Sequence, residues 1–549
     1  MERVRSRLTD FGVISAIWLS IAFITGSERW VSFDTPDAEF HASMAIFGSE
    51  VTDRAATPVY YWTRLGYIAP GRLLTNYFGP VTGLEILRLI LLFLIIAGTW
   101  YAIRRCTDVW TSTVLTFLVA SNTVVLGYLG NPYPSATVMA GMALLVAIGM
   151  APRGPWGNVG AGVIVGWMVM TNPYGAILAV VAYLAVIIAR GGTSVSRIAR
   201  AGIWGLLGIA MGFGFLWIVG RFLFPGFDWV QTYLFWNSAI DQSDYIYDVN
   251  RWQYDPSLLV PAMAVVIGLV HLMRNPRDVH VRVGAVLGIA VTTFALVCFF
   301  AFPTNYLEIP HYQALLWIPA LLSVSVIAAS RVAMSRWSWA RGGIGLVVVA
   351  VTVGAGYLDP SLSTWGSRMI AVAGVIVFLI AGQRWVPVLL ATGLLMVAAQ
   401  LLQNSRDTFG VSTDALYVNS YRSNEAREMI GSAVRAQEWV LSRTQPGDRV
   451  LTWVDAEWQK QEQDLLPMAA FQLWGANSAG QGPEVTTDML LRWDKSKPLA
   501  LALYGKSTES ILQFWNSIPA ERRPTVPECT QVPWPDYPSV QVCVTRLTW

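Results

Sequence analysis

About thirteen apolar stretches, each near the roughly 20 residues a helix needs to cross a bilayer, occupy this chain as far as residue 403. They fall near 11–27, 84–103, 110–129, 135–151, 157–171, 174–189, 202–224, 257–273, 283–302, 313–330, 342–358, 369–382 and 386–403. In hydrocarbon no water is present to satisfy a backbone amide, so stretches of this length are built as helices. Composition agrees, with 54% of the 549 residues hydrophobic and 13% charged, against about a quarter charged in soluble domains. The net charge of +3, without any basic block, excludes nucleic acid as a partner. The expected class is a polytopic α-helical protein of the cell membrane. The opening segment "MERVRSRLTDFGVISAIWLSIAFITGS" sets arginines before an apolar run with no small-residue cleavage site. It reads as a retained first span.

Arginines in short loops fix the orientation. With the N-terminus cytoplasmic, Arg3, Arg5, Arg7, Arg104, Arg105, Arg153, Arg190, Arg274, Arg277, Arg331 and Arg384 fall inside. Asp34, Asp37, Glu39, Asp228, Asp241 and Glu308 fall outside. An odd number of spans then exports the tail. Residues 1–403 form the expected membrane domain, with 28–83 as its first extracytoplasmic loop, and 404–549 form an extracytoplasmic α/β domain. The three long outward stretches, 28–83, 225–256 and the tail, put the elaborated surface on one side, where the work is expected. In the tail, "NEAREMIGSAVRAQEWVLSRTQPGD" has helical periodicity and "RVLTWVD", "LALALYG" and "SVQVCVTRL" read as strands around a helix in "STESILQFWNSI". Asp455 and Glu457 follow the first of these strands and read as solvated. Cys529 and Cys543 lie close together in this segment and can oxidise if it is exported.

The densest acidic cluster is "SFDTPDAEFHASMAIFG", where Pro36 suits a first helical position, Asp34 or Thr35 a cap, and Asp37 and Glu39 the first turn. Acids there favour the helix dipole. Asp34, Asp37 and Glu39 are also oxygen ligands suited to a divalent cation such as Mg²⁺, Mn²⁺ or Ca²⁺, and without one, neighbouring carboxylates raise each other's pKa and improve one of them as a base. The same loop continues into "PVYYWTRLGYIAPGRLLTNYFGP", an amphipathic stretch whose tyrosines suit headgroup depth and whose Arg64 and Arg72 suit lipid phosphate. Asn-Pro-Tyr recurs at 131–133 and 172–174, where Asn and Pro end helices and tyrosine sits in the interfacial belt. The outward stretch 225–256 is rich in tryptophan and tyrosine; these read either as sugar-stacking groups or as an interfacial belt.

An acidic motif heading the first outward loop, an interfacial helix behind it, about thirteen spans and an exported α/β tail together resemble the GT-C superfamily of membrane glycosyltransferases. In "DAEFHASMAIFG", Asp37 matches the family's essential aspartate and Ala42 its alanine; Ala38 replaces the usual adjacent glutamate, Glu39 comes one position later, and His41 stands where tyrosine is common. "YLEIPHYQALLWIPALL" resembles the opening of a late span in those enzymes, with His311-Tyr312 in place of Arg-Tyr. The resemblance implies an inverting glycosyltransferase, with a polyprenyl-phosphate sugar such as an arabinosyl or mannosyl lipid as donor. The acceptor would be a cell-wall polysaccharide, glycolipid or protein. On that chemistry Asp37 reads as general base with Glu39 beside it, and Arg72 and Arg64, with His311 behind them, as the cations at the donor phosphate. The alternative is a multispan transporter or flippase of a lipid-linked or polar envelope precursor. Few ionisable residues fall in mid-span, with Arg88 near one span's outward end the exception, and no paired halves with matching broken segments are apparent.

Overall fold

A computed structural model describes residues 2–24, 30–32, 37–52, 63–131, 133–151, 154–191, 195–224, 228–240, 259–301, 314–332, 419–421, 423–455, 499–505, 507–518, 525–534 and 537–547, with Ala520 and Arg523. The spans expected at 342–358, 369–382 and 386–403 lie outside them. The chain runs α1 (Glu2–Ile24), β1 (Trp30–Ser32), α2 (Asp37–Phe47), α3 (Ser49–Thr52), α4 (Leu65–Phe78), α5 (Pro80–Ile103), α6 (Val109–Ala120) and α7 (Thr123–Gly130). It continues through α8 (Ser135–Met150), α9 (Pro155–Val169), α10 (Pro173–Ala189), α11 (Val195–Leu223), α12 (Trp229–Ile240), α13 (Leu259–Arg274), α14 (Val279–Ala301) and α15 (Trp317–Val332). The tail contributes β2 (Asn419–Tyr421), α16 (Ser423–Arg443), β3 (Arg449–Val454), β4 (Leu499–Gly505), α17 (Thr508–Ser517), β5 (Glu528–Trp534) and β6 (Tyr537–Leu547).

Among the described residues, three helices are long and apolar enough to cross a membrane by themselves: Pro80–Ile103, Ala201–Leu223 and Val279–Cys298. Shorter apolar helices stand beside them. The stretch expected as a single span at 110–129 is divided into α6 and α7 at Ser121-Asn122. The Ser121 hydroxyl donates back to the Phe117 carbonyl, a local bond that competes with continuation of the helix. Stretch 225–256 contains a helix, α12, in its described part.

Lipid is as apolar as leucine, so helices here associate by close packing rather than by escape from water. In α9 and α11 glycines allow the backbones to touch: a Cβ on Gly162 would lie 2.1 Å from the Gly205 carbonyl oxygen, and one on Gly208 as near to that of Val159. At Gly98 a Cβ would lie 2.6 Å from the Ala143 carbonyl carbon, which holds α5 against α8. The other face of α11 exposes Ile203, Leu207, Met211, Phe215 and Phe222, which suits lipid.

The tail carries a mixed sheet in the order β3-β4-β6-β5, with β3 and β4 parallel and the other pairs antiparallel. Helix α17 is capped by Ser507, whose hydroxyl accepts from the Ser510 amide, and the ring of its Phe514 stacks on Trp453 of β3 at 4.3 Å. Cys529 and Cys543 occupy opposed positions on β5 and β6 and are joined as a disulfide. Asp455, read from sequence as solvated, is buried, its amide donating to the Tyr504 carbonyl. Two features tie tail to membrane part: α16 packs on α5, and β2 pairs antiparallel with β1, Trp30 opposite Tyr421 and Ser32 opposite Asn419.

Candidate functional site

Helix α2 carries the acidic motif and is held by α4. Asp37 and Glu39 stand in its first turn. From His41 to Phe47 every residue is buried. The helix ends at Gly48, whose φ of +61° is the left-handed conformation that glycine adopts readily. Its last carbonyls, which lack intrahelical partners, are taken by α4: the Thr75 hydroxyl donates to Ala45 at 2.8 Å, and the Arg72 guanidinium donates to Ile46. Gly71 lets the two helices close, since a Cβ there would lie 3.0 Å from the Ala45 methyl. Burial lowers the Arg72 pKa and the charge of Glu50 raises it. Arg72 is thus a cation placed on a helix C-terminus, where the dipole favours it.

Arg64 lies just before α4 and is 5% exposed. The backbone around it is pinned by two indoles: Trp229 of α12 donates to the Thr63 carbonyl at 2.9 Å, and Trp167 of α9 donates to the Gly66 carbonyl at 2.6 Å. The Gly66 amide donates in turn to Met170 at 2.9 Å. Trp229 also stacks on Tyr233, with ring centroids 5.0 Å apart, so part of the aromatic content of 225–256 is internal packing.

His41 connects α2 to the rest of the site. Its ring meets Tyr67 of α4 at 6.4 Å and Tyr133 at 5.0 Å, both edge to face. Tyr67 lines a small cavity of about 30 Å³, whose walls include Leu84, Glu85 and Arg88 of α5, Leu129 of α7, and Asn131. The two Asn-Pro-Tyr triplets meet different fates. Asn172 caps α10, its side-chain oxygen accepting from the Gly175 amide at 3.1 Å, as a helix-boundary reading requires. Asn131 is 2% exposed, and neither its amide nitrogen nor its amide oxygen has a hydrogen-bond partner among the described residues.

Of the residues singled out from sequence, Asp37, Glu39, Arg64 and Arg72 fall on α2, on α4 or at its entrance. Asp34, Pro36 and His311 lie outside the described residues, as therefore do the cap and one member of the cation set. Sequence reading missed Asn131, Glu85 and Tyr67. The signal for Asn131 was its membership of a repeated triplet, already assigned to helix ends.

The whole architecture is similar to that of ArnT from Cupriavidus metallidurans in the apo state, with a TM-score of 0.51 at 13% identity, covering 99% of this chain and 98% of that one. It is equally similar to ArnT from the same organism bound to undecaprenyl phosphate, with a TM-score of 0.50 at 14% identity over 98% and 97% of the two chains. No protein-family model and no curated protein matches the sequence. At these identities the likeness establishes the fold. The fold shared with ArnT is of the kind that the resemblance in the acidic motif and the span pattern implied.

Proposed function

We propose that this chain is an inverting glycosyltransferase that moves a sugar from a polyprenyl-phosphate donor to an acceptor of the cell envelope, on the extracytoplasmic face. The observation that carries the reading is the likeness, over nearly the whole chain, to a membrane protein whose structure holds undecaprenyl phosphate. It is joined by the position of Asp37 at the head of a helix that α4 clamps at its other end.

In the proposed reaction an acceptor hydroxyl attacks the anomeric carbon from the face opposite the phosphate. The new C–O bond forms as the bond from that carbon to the phosphate oxygen breaks. The hydroxyl proton passes to the Asp37 carboxylate, a contribution of about 10² to 10⁴ in rate, and the electron pair leaves with the lipid phosphate. Glu39 is the second acid of the turn. Cationic donors near the departing phosphate stabilise the charge that develops there, each worth on the order of 10² or more. Arg72 and Arg64 are the first choices, with His311 behind them. A Mg²⁺, Mn²⁺ or Ca²⁺ ion on Asp34, Asp37 and Glu39 is the alternative use of the cluster.

The test is transfer from radiolabelled polyprenyl-phosphate sugars by purified protein in detergent, comparing wild type with Asp37→Asn, each with and without EDTA. Transfer by wild type that the substitution abolishes supports the reading. Full activity in Asp37→Asn removes Asp37 as base, and loss of wild-type activity in EDTA moves the cluster to metal binding. A folded wild type inert with every donor refutes the enzyme in favour of transport.

A further inference from the structure

Helix α5 runs from the candidate site to the opposite end of the bundle, the end that the arginine rule assigns to the cytoplasm. Three turns meet there. The charges of Arg105, Arg190 and Asp278 all reach the Cys106 thiol, which sets the α5–α6 turn beside the end of α10 and the α13–α14 turn. Two arginines of this corner close helix ends. Arg190 donates to the Gly149 and Ala151 carbonyls at 2.7 Å each, and Arg282, in the first turn of α14, donates to the Ala189 carbonyl at 2.5 Å. Capping does not account for Arg105 and Arg277. Both are exposed, and neither has a hydrogen bond or an ion pair among the described residues. The acids nearby are already engaged: Asp278 accepts from the His280 and Val281 amides, and Asp10 pairs with Arg104 at 3.7 Å. Arg105, Arg190, Arg277 and Arg282 against Asp278 leave the corner positive. The adjoining surface suits lipid. On α10 the exposed Ile177, Leu184 and Ile188, spaced by seven and four residues, form one stripe that runs down to Arg190. Trp110, 82% exposed at the start of α6, sits where an indole meets headgroups.

We propose that this corner binds an anionic phospholipid, its phosphate among Arg105, Arg190, Arg277 and Arg282 and an acyl chain along the α10 stripe. The planar fork of arginine donors matches two phosphate oxygens at once. Each basic side chain at a membrane surface strengthens the hold on an anionic lipid by about fivefold. Such a lipid resides at the far end of the bundle, separate from any donor at Asp37, and its binding does not depend on the glycosyltransferase reading.

The experiment is titration of the purified full chain in detergent with phosphatidylglycerol, phosphatidylcholine or inorganic phosphate, with bound lipid counted by native mass spectrometry. The proteins compared are wild type, Arg105→Gln, Arg277→Gln and Arg221→Gln. Arg221 is exposed in the last turn of α11, at the other end of the bundle, and controls for loss of charge alone. Because Arg105 and Arg277 hold nothing within the described fold, their variants fold as wild type does. Expected is saturable binding of phosphatidylglycerol, about tenfold tighter than phosphatidylcholine and weakened about fivefold in Arg105→Gln and in Arg277→Gln. Neither Arg221→Gln nor millimolar phosphate should change it. Four results would each overturn the proposal: no preference for phosphatidylglycerol over phosphatidylcholine, wild-type binding in either corner variant, equal weakening in Arg221→Gln, or displacement of the lipid by inorganic phosphate, which would make the corner a site for a free anion.

Discussion

Substituting Gly66 by alanine tests whether the entrance to α4 is positioned as tightly as the hydrogen bonds suggest. A Cβ at this position would lie 1.9 Å from the Thr171 hydroxyl oxygen, 2.6 Å from Cδ1 of Trp167 and 2.8 Å from its Nε1. Neither neighbour is a free end of a flexible side chain. The Thr171 hydroxyl donates to the Trp167 carbonyl at 2.9 Å, and the indole donates to Gly66 itself. The backbone of α4 must therefore retreat, straining both the indole bond and the amide bond to Met170. Overpacking costs about 1–3 kcal/mol and two weakened hydrogen bonds about 1 kcal/mol each, giving roughly 3–5 kcal/mol. Arg64 moves with this turn, and a displacement of about 1 Å can cost on the order of 10² in rate. Thermal unfolding in detergent should show a lowered midpoint, and transfer assays a lowered kcat. The double variant with Thr171→Ala should recover part of the stability, since it removes the shortest contact and leaves the indole. An unchanged midpoint in Gly66→Ala, or a double variant no better than the single, would refute the packing argument.

The remaining expectations concern two other sites. Replacing Cys529 and Cys543 by serine opens a loop of sequence separation 14, for which chain entropy alone suggests a loss of about 3 kcal/mol. Reductant should lower the melting of the wild-type tail and leave the double variant unmoved. Asp108 caps α6, accepting from the Thr111 amide at 3.0 Å and the Thr111 hydroxyl at 2.8 Å. Asp108→Ala should cost roughly 0.5–2 kcal/mol. Burial raises the carboxyl pKa, but the bonds from Thr111 and Thr107 outweigh it and the net direction is down. The cap's contribution is therefore complete above the ordinary carboxylate range and is lost as pH falls through the lowered folded value. A midpoint difference between wild type and Asp108→Ala that persists unchanged to strongly acidic pH would contradict this.

What could be read from the sequence was mostly what depends on near neighbours. The runs that become α5, α8, α10 and α14 announce themselves by length and apolarity alone. In the tail, α16 stops before Pro446-Gly447, and β3, β4, β6 and α17 fall where periodicity placed them. Strand β5 was missed because "ECTQVPW" is partly polar and contains a proline; its pairing with β6 decides its state. The break at Ser121-Asn122 carries no proline or glycine. The environment of Arg64 was beyond local reading for a different reason: Trp229 is 166 residues from the carbonyl it binds, and Trp167 is 101 residues from Gly66.

The acidic motif was visible in the sequence and the small cavity beside His41 was not, because the cavity is assembled from distant segments. Carboxylates clustered ahead of an apolar helix are rare in a chain with so few charges, so Asp37 and Glu39 stand out by composition. The cavity is assembled from Tyr67, Glu85, Arg88 and Asn131, contributed by α4, by α5 and by the residue that follows α7. None of these is unusual in its own segment, and each has an ordinary local role available, including interfacial tyrosine and helix-ending asparagine. Only Asn172 fills such a role, by capping α10; Asn131, in the same triplet, leaves its amide without a local bond among the described residues. Two identical local sequences therefore diverge because one faces its own helix and the other faces a cavity. The β1–β2 pair adds a further constraint, since it fastens the tail to the backbone five positions before Asp37.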